Sequence, residues 1–225
     1  MSRLTWGEPS KRQYEAGVDR GVLYPPSGGG VSWVGLISVN ERPSGGAATP
    51  YYQDGIKYYN RMEAEEYAAT LEAYTYPVEF EECDGTVEMA PGFYAMHQNR
   101  KPFALCYRSG IGNVLNPSAG YKLHLIYNVM AEPSEQSHQT LTDDPEIVSF
   151  SWSLSAIPTT VPGAKPTAHL VIDSTRLSLE LLDQVEDIVY GTIETAPRMP
   201  TADELLSLSL DLPEGTFTAE FGAMF

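Results

Sequence analysis

The chain has 225 residues, enough for one substantial domain or for a domain with an extension. Its 42% hydrophobic content and mean hydropathy of -0.24 belong to a globular protein rather than a disordered one, and no run of 18 uninterrupted apolar residues offers a membrane-spanning helix. Thirty acidic residues against 14 basic ones leave a net charge of -16, a field that repels phosphate and disfavours ordinary DNA or RNA binding.

The N-terminal stretch MSRLTWGEPSKRQYEAG lacks an apolar signal-peptide core, so the expected place of synthesis and residence is the cytoplasm of the producing cell. Glycine and proline clusters then punctuate the chain at PPSGGG (25–30), RPSGGAATP (42–50), CDG (83–85), GIGN (110–113), NPSAG (116–120) and VPGAKP (161–166). The segments between them have strand length, the pattern of an all-β sandwich or barrel. VSWVGLISV is a short β-branched run. The stretch from 42 to 56 reads as a long flexible loop, and it opens a region with seven tyrosines in 26 residues, Tyr51 to Tyr76. EEYAATLEAYTY fits a helical face (Tyr67, Leu71, Tyr74) as well as a strand face (Tyr67, Ala69, Leu71, Ala73); its aromatic content and neighbours favour strand.

Further along, GYKLHLIYNVM alternates, with Tyr121, Leu123, Leu125, Tyr127 and Val129 on one face, Lys122, His124 and Asn128 on the other, and Ile126 as an exception. IVSFSWSLS places Val148, Phe150, Trp152 and Leu154 on one parity, and AHLVID is another β-branched run. SLELLDQVEDIVYG predicts an amphipathic helix near 178–190, with Leu181, Leu182, Val185, Ile188 and Val189 as its stripe, Ser178 as its cap and Gly191 as its stop. PTADELLSL predicts a short helix near 201–208, opened by a Thr201/Glu204 capping box.

Chemistry is sparse. His97, His124, His138 and His169 are isolated from one another in sequence, and none lies in a metal-binding pattern. There is no GxSxG, P-loop or GxGxxG in the required context. The Asp-Gly pairs at 54–55 and 84–85 are turn signals without calcium-loop spacing. Acid groups at Glu63, Glu65 and Glu66 and at Glu79, Glu81 and Glu82 could pair for acid/base work, but 30 acids make such coincidences common. Cys83 and Cys106 read as reduced thiols, a single disulfide being the alternative. Accordingly no enzymatic activity, cofactor or metal is expected. The tyrosines suit a subunit interface, a stacking platform or ordinary core packing.

One ordered series of segments is more specific. YEAGVDRGVLYPPSGGGVSWVGLISVNERPSGGAATPYYQDGIKYYN, followed by CDGTV, GYKLHLIYN, FSWSL and KPTAHLVIDS, resembles the major tail proteins of long-tailed actinobacterial phages across residues 6 to 206. The resemblance implies a mainly β fold, a tail-tube β-sandwich domain over 1–200 with the loop 42–56 and one flanking helix, followed by a short helix and C-terminal extension over 201–225. It further implies homohexameric rings stacked into a tube that belongs to the virion tail and is assembled in the host bacterial cytoplasm. The implied partners are tape-measure, distal tail and terminator proteins, with double-stranded DNA passing through the lumen without specific binding and no membrane. On that basis Tyr51, Tyr52, Asp54, Gly55, Tyr58 and Tyr59 are the expected stacking residues, the strand after them is expected to join the barrel wall, and Glu65, Glu66 and Glu72 are expected to face the lumen. An acidic wall would keep DNA from sticking. Family chains end soon after the short helix, whereas here Ser209 to Phe225 follow. Another ring-forming tail component, and more remotely a carbohydrate-binding or glycan-cleaving module, are the alternatives.

Overall fold

The computed structural model describes residue 8 and residues 12–46, 48–62, 65–134, 140 and 147–210. His138, Glu63 and the extension beyond Leu210 lie outside the described residues. The fold is mainly β. The strands are β1 (Gln13–Tyr24), β2 (Val31–Trp33), β3 (Leu36–Glu41), β4 (Ser44–Gly45), β5 (Ala48–Gln53), β6 (Ile56–Met62), β7 (Glu65–Glu66) and β8 (Ala68–Ala73). After them come β9 (Val87–Ala90), β10 (Phe93–Ala95), β11 (Phe103–Asn113), β12 (Gly120–Ala131), β13 (Phe150–Ala156) and β14 (His169–Asp173). The helices among the described residues are a 3-10 turn (Val78–Phe80), the one-turn α1 (Glu81–Asp84), α2 (Leu179–Tyr190) and α3 (Ala202–Leu210).

An eight-stranded antiparallel sheet runs in the order β2-β1-β11-β12-β13-β8-β3, with β14 also beside β12. It does not close into a barrel. β12 forks: residues 122–126 pair with β14, while residues 129–131 pair with β13. Beyond the fork, β13, β8 and β3 fold over β1, β11 and β12 and enclose a core of Leu23, Trp33, Leu71, Phe80, Leu105, Ile126, Val129, Trp152 and Leu154. The opposite face of β1, β11, β12 and β14 carries a second core, Val22, Tyr24, Cys106, Leu123, Leu125 and Tyr127, covered by Leu181, Val185 and Val189 of α2 and by α3. Period-2 alternation therefore feeds two cores from single strands: in β1, Leu23 faces one while Val22 and Tyr24 face the other.

This arrangement accounts for Ile126, and it corrects the face expected for Val129. Asn128 has φ 49° and is the extra residue of a bulge, since Leu105 pairs with Ile126 but Phe103 pairs with Val129. Ile126 faces the interlayer core by simple alternation, and the bulge switches Val129 onto that same core. EEYAATLEAYTY forms a strand over its central residues as β8, with Ala69, Leu71 and Ala73 buried. Trp152 and Leu154 face the core as their parity predicts.

GIGN is not a loop: Gly110 and Gly112 lie within β11. A Cβ on Gly112 would sit 2.6 Å from the carbonyl oxygen of Pro117 and 2.7 Å from the Tyr14 ring, so the strand needs glycine there to pass its neighbours. α2 starts where expected, with the Ser178 hydroxyl accepting from the Leu181 N–H at 3.3 Å. At α3 the capping box is half formed. Thr201 Oγ1 accepts from the Glu204 N–H at 3.2 Å, but the Glu204 carboxylate turns to the guanidinium of Arg198. Cys83 and Cys106 are free and buried in the two different cores, on opposite sides of the sheet.

Candidate assembly surface and a half-buried histidine pair

The described residues of 42–56 are not a structureless loop. Ser44–Gly45 pairs with Glu65–Glu66, and β5 pairs with β6 to form a hairpin that hydrogen-bonds to no strand of the main sheet. The turn explains the hairpin. Asp54 (φ 51°) and Gly55 (φ 75°) are both left-handed, as a two-residue type I′ connection requires, and its twist matches that of the strands it joins. Pro50 is tolerated because a two-stranded ribbon is all edge.

Every described side chain from 48 to 61 is exposed. Tyr51 and Tyr59 are cross-strand partners with ring centroids 6.4 Å apart, Tyr58 is the extra residue of a bulge and is 77% exposed, and Tyr52 and Ile56 are 67% and 72% exposed. The structure thus brings Tyr51, Tyr52, Asp54, Gly55, Tyr58 and Tyr59 together on one projecting arm. A lone two-stranded ribbon is marginal in water, and this one displays apolar area with nothing over it among the described residues. Tyr58 and Tyr59 lie in β6 itself, which among the described residues pairs only with β5; of the strands that follow, the two-residue β7 pairs with β4 and β8 enters the main sheet. A second hairpin, β9–β10, exposes Val87, Met89, Phe93 and Tyr94.

The three acids expected at a lumen separate into two places. Glu65 and Glu66 are exposed on β7 at the arm's root. Glu72 lies on the outer face of β8, accepting from Ser38 Oγ at 3.0 Å. That face also presents Asn40, Thr70, Ser151 and Ser153, by register with Ser38 and Glu72, so it is dominated by hydroxyl and amide groups rather than by acids.

Sequence spacing concealed one constellation. His124 and His169, 45 positions apart, are neighbours: His124 Nδ1 lies 3.0 Å from His169 Nε2. β14 pairs with β12 in a register that puts His169 opposite Ile126, so both imidazoles point into the open end of the sandwich. Glu41, the last residue of β3, closes the group. Its Oε1 is 3.7 Å from His124 Nδ1, and its Oε2 is 3.6 Å from His169 Nδ1. Tyr107 donates its hydroxyl to Glu41 Oε1, its ring stacks on His124 with centroids 4.5 Å apart, and Ser109 Oγ is 2.9 Å from His124 Nε2. Burial holds both histidines below their usual range: His124 goes down to about 4, with His169 adding to the shift, and His169 shifts the same way with Glu41 opposing. The 3.0 Å contact between the rings uses one ring N–H and the lone pair of the other ring. Glu41, His169 and Tyr67 line a cavity of about 230 Å³ together with Glu65 and Glu66, and the Tyr67 hydroxyl is buried without a hydrogen-bond partner among the described residues. Only the strand pairing of β12 with β14 could have revealed this cluster, and single-sequence patterns do not carry it.

No protein-family model and no curated protein matches the sequence. Among solved structures, the chain is similar to the anti-feeding prophage cap (AFP tube terminating cap) determined by cryo-EM, at 11% identity over 77% of this chain and 96% of that one. The TM-score of 0.37 is too low for this likeness to carry an argument.

Proposed function

We propose that this protein is a structural, non-catalytic subunit of a phage tail tube, assembling as homohexameric rings that stack around a DNA conduit. The observation that carries this is the tyrosine hairpin formed by β5 and β6, exposed at every described side chain from 48 to 61, whose aromatics have no cover among the described residues. Tyrosine contributes large contact area at low entropic cost and keeps a polar tip, which suits a surface that must be soluble before assembly and buried after it. The open sheet ends in β3, whose outer edge is free among the described residues and available for pairing with a second copy. The ordered resemblance to major tail proteins supports the same role.

The test is negative-stain microscopy with light scattering over a concentration series. Hollow tubes or six-membered rings are expected. Replacing residues 48–61 with a short Gly-Ser link should abolish tubes while leaving the body folded. Rings that never stack would point instead to a distal tail or terminator component. A strict monomer that binds an oligosaccharide would overturn the assembly role.

A further inference from the structure

The Glu41, His124 and His169 constellation joins three strands from both layers of the sandwich and gathers two imidazoles and a carboxylate, with His169 meeting His124 at Nε2 and Glu41 at Nδ1. One ligand atom from each residue lies within 4.8 Å of the others. Bonds of 2.0–2.1 Å in a tetrahedral ion set neighbouring ligand atoms about 3.4 Å apart. The His124 Nδ1 to His169 Nε2 distance of 3.0 Å and the His124 Nδ1 to Glu41 Oε1 distance of 3.7 Å bracket that edge.

Two surrounding groups orient the donors. Ser109 holds His124 through Nε2, so Nδ1 is the nitrogen that faces His169 and Glu41, and the Tyr107 hydroxyl fixes Glu41. On the cavity side, the buried Tyr67 hydroxyl, unpartnered among the described residues, and the exposed Glu65 and Glu66 border the same space. We propose that Glu41, His124 and His169 bind a divalent transition-metal ion of the zinc class, pinning β3 to β12 and β14 where the arm leaves the body. Two nitrogen donors favour such an ion over Mg²⁺ or Ca²⁺, which select all-oxygen sites. The remaining coordination positions belong to water or to a carboxylate from the cavity wall. Because Glu41 directly precedes the segment that carries β4 to β7, the ion would fix the direction in which the arm projects.

The experiment uses the untagged full chain, stripped with chelator and titrated calorimetrically with Zn²⁺, with Co²⁺ as a spectroscopic probe. One equivalent of Zn²⁺ should bind and raise Tm, Co²⁺ should give visible ligand-field bands, and Mg²⁺ and Ca²⁺ should do neither. Glu41→Gln and His169→Gln should each weaken Zn²⁺ binding by more than about tenfold, and Tyr107→Phe by about tenfold through the loss of carboxylate orientation. His97→Ala, away from the cluster, should change nothing. Circular dichroism on each variant separates lost binding from lost fold; Glu41→Gln keeps the shape and still accepts from Tyr107. No binding by the parent chain, or equal affinity in His124→Gln/His169→Gln, overturns the proposal. Both outcomes are read on the monomer, independently of tube assembly.

Discussion

Arg108 donates to Asp19 through two hydrogen bonds of 2.8 and 2.9 Å and lies over the ring of Tyr121, 4.3 Å from its centroid. This bidentate pair holds the Asp19 carboxyl below its usual range. A carboxylate with a depressed folded pKa adds stability that is complete above its unfolded value, near pH 4, and disappears as pH falls through the folded one. Asp19→Asn should therefore cost stability at pH 7, and the gap to the parent should close as pH falls below the usual carboxylate range in urea titrations. Solvent screening at the exposed Asp19 keeps the effect to about 0.5–1 kcal/mol. Trp152 is a much larger determinant. It is 2% exposed, and its ring meets Trp33, Phe80, Tyr76 and Phe150 at centroid distances between 5.1 and 5.8 Å. Trp152→Ala should lower unfolding free energy by about 3–5 kcal/mol through the cavity it leaves.

At the scale of elements, α2 and the hairpin make opposite predictions. α2 covers a core, so weakening it destabilises the whole protein: Ser178→Ala removes the cap acceptor and should cost about 1 kcal/mol in denaturant unfolding. The hairpin covers nothing. Gly55→Val forces a β-branched residue to φ 75°, although its Cβ would meet no neighbour within 4 Å, so strain is the sole expected penalty. Tube yield by microscopy should fall while the unfolding midpoint of the body stays put. α2 and β13 were legible in sequence because each buries one side and repeats at its own period. The Asp54–Gly55 turn was legible as chemistry, but the strands beside it were hidden by Gly46 and Pro50, which suggest a loop. β11 left a weak trace because it is buried on both faces and interrupted by Gly110 and Gly112, and β1 because Gly17 and Gly21 interrupt it and most of its length is exposed, so no alternation survives. The histidine pair depends on two distant strands lying side by side, a fact of topology that local pattern cannot hold.

For the molecule as a whole, a net charge of -16 opposes bringing copies together while the exposed aromatics favour it. Added salt screens the repulsion, the Debye length shrinking from ~10 Å at 0.1 M to ~3 Å at 1 M, and also strengthens apolar burial when the anion is sulfate. Assembly should accordingly begin at lower protein concentration as salt rises, measured by light scattering. Contacts built mainly on ion pairs between copies would give the reverse trend.

Each of the two cores holds one thiol. Cys83 sits between the sheet layers and Cys106 beneath α2, both with no exposed surface, so neither reacts until its own core opens. The chain thus carries two internal clocks, one per compartment. Timed modification with a thiol reagent, followed by peptide mass spectrometry, reads how often each compartment breathes without any introduced label. Comparing the two rates before and after the subunits join would show which compartment tightens when a neighbour docks, and hence on which side of the sheet the binding energy is felt.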